Sequence, residues 1–288
     1  NSLGSLYLKQ FNYTAAKQRF TKSLTLKNEA INLIPNDKNL LIDKADTLSW
    51  IASTEENLGH FNAALAMLEG VSKELRELLI KYPGDASLLN DLANTYHQHS
   101  YLLSFFSDKQ HSYIKAQLAF ETINMVRIQD PKNKKFQRMY HHFLANKLLL
   151  SDSKNENEEI ESIINFIKYE NFSDKKIVNT QISLINYFVK INAWGKAKNL
   201  LLQLEGKVEN KVILTKISLI KAKLAGNTKD RINYCKQAQI TISEMERITQ
   251  SVNITYPLMQ AYTCLNRANE IPKIKARLVK LGINNFQL

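Results

Sequence analysis

Apolar side chains recur along most of the chain three and four residues apart, the spacing of amphipathic helices, and the segments are parted by short polar or proline-bearing breaks. Leu3, Leu6 and Tyr7 share one face; Phe11-Asn12-Tyr13 makes a turn; Ala16, Phe20, Leu24, Ile31 and Ile34 then keep helical spacing until Pro35 stops it. That pair reads as a helical hairpin. The next runs from Leu40, Leu41, Ala45, Leu48, Ile51 and Ala52 through a break at Asn57-Leu58-Gly59-His60. It returns along Phe61, Ala64, Leu65, Leu68, Leu75, Leu78 and Leu79 to Tyr82-Pro83. A third has Leu88, Leu89, Leu92, Ala93, Tyr96, Ser100 and Leu103, a polar turn at 107–110, and Ile114, Ala116, Phe120, Ile123 and Met125 before Asp130-Pro131.

Beyond Pro131 helix-sized segments continue. Phe136, Tyr140, Phe143, Leu144 and Leu148 form one, and Ile160, Ile163, Ile164 and Ile167 its partner after a charged stretch at 151–159. Ile177, Ile182, Leu184, Ile185 and Phe188 follow, then a turn at Asn192-Ala193, then Trp194, Ala197, Leu200, Leu201 and Leu204. Segments near 209–225, 228–250, 255–268 and 271–281 bring the expectation to about fourteen helices in seven antiparallel pairs.

The breaks repeat. Pro35-Asn36-Asp37, Pro83-Gly84-Asp85 and Pro131-Lys132-Asn133 lie 48 residues apart, as do the small residues Gly4, Ala52 and Ser100. Ala16 and Ala64, Tyr13 and Phe61, and Phe20 and Leu68 keep the same step. A period of this size means stacked supersecondary units that share a core none of them could bury alone. Asp37, Asp85 and Asn133 stand where side-chain caps would start the following helices. In the third unit the alanine falls at 116 rather than 112, so an extra helical turn is expected before that bend. The whole reads as one all-α repeat domain over 1–288: clear repeats at 1–35, 36–83 and 84–131, and degenerate helical ones over 132–288.

Composition sharpens this. Eight Gly and five Pro leave little for a many-turned β architecture, and no run of 18 apolar residues could span a membrane. The chain opens at Asn1 inside a helical pattern and reads as part of a longer protein, so a missing targeting signal carries no weight. Cys235 and Cys264 sit in separate predicted helices without CxxC spacing; the expectation is two reduced core residues and a cytoplasmic address. Residues 1–130 carry 13 Lys+Arg against 14 Asp+Glu, net −1, and residues 131–288 carry 26 against 13, net +13. Either an acidic partner, nucleic acid included, meets the second half, or a Lys-rich chain uses lysine as surface cover. The 21 Lys against 5 Arg there speak against a selected phosphate reader.

The bend Gly59-His60-Phe61-Asn62-Ala63-Ala64-Leu65 resembles that of the tetratricopeptide repeat family, with Leu48, Ile51 and Ala52 before it and Leu68 after. Gly4, Tyr7, Tyr13, Ala16 and Phe20 are similar, and Trp194 and Ala197 more loosely so. The family repeat is usually about 34 residues; here the second helices would be some two turns longer. The resemblance covers 1–131 and 175–206, and elsewhere extends only to paired helices. It implies an α-solenoid, a right-handed superhelix whose concave face is lined by the first helix of each pair and binds a peptide or protein segment. On that register the groove positions are Asp46, Ser49, Ser53, Glu56, Asn94, His97, Tyr101, His142 and Asn146. They hold no lysine clamp for a C-terminal carboxylate; Asp46 and Glu56 suit a neutral or basic segment.

Signatures of other chemistry are weak. There is no GxxxxGK, GxGxxG, GxSxG or HExxH motif. His97 and His99 on one helix, His111, and His141 and His142 on the next first helix could bring His97 near His142, but zinc wants three or four ligands, and positions two apart point to different faces. Groove polarity and ordinary packing account for them better than a metal site does. Tyr96, Tyr101, Phe105 and Phe106 read either as wedges between repeats or as an anchor pocket. Glu156 to Glu159 read as the negative start of a helix. Lys207, Lys211, Lys216, Lys221 and Lys223 do not share one face, so a solvated surface is expected. The expectation is a non-enzymatic interaction scaffold without cofactor or metal, part of a bacterial-style regulatory or assembly protein. The alternative is nucleic-acid or acidic-partner binding by the basic C-terminal half.

Overall fold

A computed structural model describes residues 2–106, 108–153, 156–170, 174–246, 252–280 and 283. Among them are fourteen α-helices and no strand: α1 (Ser2–Lys9), α2 (Tyr13–Leu33), α3 (Lys38–Leu58), α4 (Phe61–Lys81), α5 (Ala86–Ser104), α6 (Lys109–Gln129) and α7 (Lys134–Leu150), then α8 (Asn157–Lys168), α9 (Lys175–Lys190), α10 (Trp194–Leu204), α11 (Lys211–Leu224), α12 (Thr228–Glu246), α13 (Val252–Cys264) and α14 (Ile271–Lys280). The fold is all-α. Ser107 of the expected polar turn, residues 154 and 155 of the charged stretch, and 247–250 of the predicted twelfth helix lie outside the described residues.

The 48-residue step governs where helices begin. α2, α4 and α6 start at 13, 61 and 109, and α3, α5 and α7 at 38, 86 and 134. The first helices α3, α5, α7, α9 and α11 are each opened by an Asx side chain accepting from a first-turn amide: Asp37 from Leu40 N, Asp85 from Leu88 N, Asn133 from Lys135 N, Asp174 from Lys176 N and Asn210 from Ile213 N. Closure also repeats. Gly59, Phe11, Asn192 and Asn266 take left-handed φ of 85°, 59°, 60° and 54°, and the next amide of each donates back five residues: His60 to Glu55 O, Asn12 to Tyr7 O, Ala193 to Phe188 O and Arg267 to Tyr262 O. That bond satisfies a carbonyl the helix end would leave open.

The extra turn expected in the third pair is absent. α6 starts on the common register, and Ser112, not Ala116, holds the tight crossing: Ser100 Oγ donates to Ser112 O and Ser112 Oγ to Ser100 O, both at 2.8 Å in the core. A serine can replace alanine there because its hydroxyl finds a partner. At the equivalent crossing of the first pair, a Cβ on Gly4 would stand 2.6 Å from Phe20 Cε1, which explains the small residue.

The chain packs as two compact units, one mainly residues 1–122 and the other mainly 123–247 and 253–277. In the first, Ala16, Phe20 and Ile51 form a cluster with Tyr7, Leu8, Leu24 and Met67, and Trp50 stacks on Phe20. In the second, Met139, Phe143, Leu144, Ile163, Ile177, Leu184 and Phe188 are buried on α7, α8 and α9. α9 packs against both α7 and α11, and α11 against α12. The cysteines correct the sequence reading: Cys235 on α12 and Cys264 on α13 form a disulfide, with Cα atoms 6.1 Å apart. Two cysteines 29 residues apart show no spacing signature; only folding α13 back on α12 brings them together.

Candidate functional site

On α3, Asp46, Ser49, Ser53 and Glu56 recur three, four and three residues apart, so they form one stripe; Ala45, Ile51 and Ala52 turn into the core. Asp46, Ser49 and Ser53 are half-buried, whereas Glu56 is buried. On α5, which packs against α3, Asn94 is exposed and His97 and Tyr101 are half-buried. The two stripes meet at Glu56, whose carboxylate accepts from Gln98 Nε2 at 3.4 Å. Burial, and the charge of Glu56 beside it, push the Tyr101 hydroxyl pKa up, so Tyr101 stays a neutral donor. Its ring packs edge-on against Phe105 at 4.9 Å. Ser49 Oγ and Asn94 Nδ2 donate to carbonyls one turn back, Ala45 and Asn90.

The first unit thus gathers seven expected groove positions on α3 and α5. His142 and Asn146, on α7, belong to the second unit. His142 Nδ1 lies 3.4 Å from Thr180 Oγ1 of α9, and Asn146 Nδ2 is buried with no hydrogen-bond partner among the described residues. Gln98 was not singled out by sequence, although it lies one helical turn beyond Asn94 on the same side of α5. Glu55, next to Glu56, turns away: it takes Lys17 Nζ of α2 at 2.6 Å and His60 Nδ1 at 2.7 Å, tying the α3–α4 bend to α2.

The remaining histidines are occupied separately. His99 is buried with Nδ1 3.6 Å from Glu69. His141 Nδ1 donates to Gln137 O at 2.8 Å, and its ring stacks on Phe166 at 3.9 Å. Burial lowers both from 6.5 to about 4, so both are neutral near pH 7. His111 pairs with Asp108 at an exposed helix start. Among the described residues no three His, Cys, Asp or Glu side chains stand close enough to hold a metal ion.

The aromatic concentration divides. Tyr96 is buried and accepts from Arg76 Nη1 at 3.3 Å, and Phe106 packs edge-on against Phe61, so these two are wedges; Tyr101 and Phe105 stay half-buried. A recess of about 550 Å³ runs along α2, lined by Lys17, Gln18, Thr21, Lys22, Thr25 and Leu26. It is open and uses one side of a single helix among the described residues, whereas two helices converge at the α3–α5 face.

Of the five lysines expected to be solvated surface, Lys211 pairs with Glu244, Lys221 with Glu205 at 2.7 Å, and Lys207 and Lys223 are exposed. Lys216 departs from that expectation: it is half-buried on α11.

No protein-family model matches the chain, and no curated protein matches its sequence. The class of the protein, an all-α array of helical hairpins, rests on its helices and their 48-residue register.

Proposed function

We propose that this chain is a non-enzymatic interaction scaffold of the tetratricopeptide-like kind, binding a peptide or protein segment along the first-helix face of α3 and α5. The recurrence of a polar, partly open stripe at one register carries this reading: Asp46 and Asn94, Ser49 and His97, and Ser53 and Tyr101 are 48 residues apart, on helices whose other sides are core. A face kept polar while its neighbours are apolar suits a ligand held by a few directed hydrogen bonds and one aromatic anchor, here Tyr101 with Phe105. The acidic Asp46 and Glu56 favour a neutral or basic segment. The right-handed superhelical form, and a place in a larger regulatory or assembly protein, belong to the same proposal. The disulfide favours an oxidising compartment over the cytoplasm expected from the cysteine count.

The test is selection of displayed random peptides on the immobilised protein, followed by binding to Asp46→Lys, Asn94→Lys and Tyr101→Ala variants. We expect selected peptides to lose about tenfold or more in affinity on these changes, the size of a hot-spot contact, and to keep it on Glu77→Lys of α4. Selected binders indifferent to all three changes would refute the reading.

A further inference from the structure

Half-buried lysines in this protein are as a rule paired. Lys27 meets Asp43, Lys44 meets Glu74, Lys115 meets Glu69, Lys147 meets Glu159 and Lys221 meets Glu205, all within 4.0 Å. Two lysines of the second unit break the rule. Lys176, in the first turn of α9, and Lys216, on α11, are both half-buried, and neither has a carboxylate within 4.0 Å or a side-chain hydrogen bond among the described residues. Their charged neighbours are mostly other lysines: Lys135 of α7 acts on Lys176, with Asp174 opposing it, and Lys175 acts on Lys216. Burial first, and these like charges second, push both ammonium groups below the usual lysine range. Arg138, which reaches Asp174 beside Lys176, does not share the load: it is taken by Glu170 and Asp174 at 2.9 and 3.0 Å.

Position matters as much as charge. Lys176, Asn179, Ser183 and Asn186 recur three, four and three residues apart and are the half-buried side of a helix whose other positions are mostly core. Counted from the caps Asn133 and Asp174, Ser183 stands on α9 where His142 stands on α7, so this side holds the register position of the proposed groove stripe. Like charges drawn together and partly dried are costly unless something negative completes them.

We infer that the α9–α11 face, with Lys176 and Lys216 as its cationic hooks and Lys135 and Lys175 beside them, binds an acidic polypeptide segment. The inference rests on the reading of the first-helix faces as binding faces, and it deepens that reading by giving the second unit a partner chemistry opposite to that of Asp46 and Glu56. A carboxylate-bearing peptide fits better than a nucleic acid. The hooks are lysines, the neighbouring Arg138 is already engaged by Glu170 and Asp174, and the stripe continues as neutral Asn179, Ser183 and Asn186, which suit peptide amides rather than a phosphate chain charged at every step.

The experiment is fluorescence anisotropy on the full chain with three labelled probes: a peptide alternating Asp and Glu with Ser and Gly, its Asn/Gln counterpart, and a single-stranded oligonucleotide of similar length. The acidic peptide should bind about tenfold or more tightly than the neutral one, and weaken with salt. Lys176→Met with Lys216→Met, which keeps the aliphatic bulk, should cost about tenfold, while Lys198→Met with Lys223→Met, both exposed, should not. A second readout needs no variant: bound acidic peptide should protect Lys176 and Lys216 from amine acylation, as mapped by mass spectrometry. Equal binding of acidic and neutral peptides, equal loss in the control pair, absence of protection, or tighter oligonucleotide binding through the same lysines would each overturn the inference. Peptides selected on the α3–α5 face should keep their affinity in the Lys176/Lys216 variant, so failure here and failure of the scaffold reading are told apart.

Discussion

Glu55 and Glu56 are neighbours in sequence with different fates, and the difference is geometric. A helix rotates successive residues by about 100°, so although both are buried, Glu56 falls on the stripe facing α5, where it meets Gln98, while Glu55 turns under the bend, its side chain 4% exposed. Burial alone would raise its pKa; hydrogen bonds from Lys17 and His60 outweigh that and hold it below the usual value of 4.5. Glu55→Gln should therefore cost about 1–2 kcal/mol, kept modest because Lys17 is partly exposed, as read by urea unfolding at pH 7. The contribution is full above pH 4.5 and fades as pH falls through the lowered pKa. His99 and His141 act over a higher window. Their pKa falls from 6.5 to about 4 on folding, so the stability each confers is full above pH 6.5 and is lost between there and about pH 4. That loss amounts to roughly 3 kcal/mol per histidine. Urea midpoints should drop through that window in the wild type and less steeply in a His99→Gln/His141→Gln variant; an unchanged slope in the variant would refute this. Small residues such as Gly4 and Ala52 were legible in sequence because a repeat exposes them by position. The partners of Glu55 were not, since long polar side chains leave no periodic trace.

At the scale of the helix pair, caps and closures explain why the register holds while the sequence drifts. The Asx residues that mark these starts are visible in the chain, and at the bends closed by Phe11, Gly59, Asn192 and Asn266 the closing residue, whatever its type, must reach left-handed φ. Gly59 does so freely, Asn192 and Asn266 with little cost, and Phe11 at a penalty. Phe11 is 39% exposed, so replacing it sacrifices little packing. Phe11→Gly should raise stability by up to about 1 kcal/mol and Gly59→Ala should lower it by a similar amount, opposite signs at positions 48 residues apart. Thermal melts of the two variants decide it. Gly4→Ala should also destabilise, by about 1–3 kcal/mol, because its new methyl meets the Phe20 ring. The misplaced extra turn in the third pair has the same origin: reading alanine as the only tight-crossing residue overlooked that two serines can pair there.

For the whole molecule, the open matter is what holds the C-terminal helices, where the 48-residue register no longer helps. α12 has a single buried line among the described residues, Cys235, Ala238 and Ile242, and α13 carries Pro257 inside it, which removes one backbone donor. α13 nonetheless buries Ile254, Leu258, Met259 and Ala261, so the thinly anchored α12 gains most from a crosslink. Cys235–Cys264 closes a 29-residue separation, for which chain entropy gives about 3–4 kcal/mol. That gain should be local, because cohesion in arrays of helical pairs passes only between neighbours. Reduction with dithiothreitol should raise amide exchange across α12 and α13 while leaving α3–α5 unchanged, and non-reducing peptide mapping should recover the two cysteines as one linked species. Two free thiols in the oxidised, folded protein, or equal loosening of α3–α5 on reduction, would show that packing rather than the disulfide holds this end. The outcome also bears on the acidic-segment face, since α11 packs against α12: if the staple fixes α12, reduction should weaken acidic-peptide binding at Lys216 more than at Lys176.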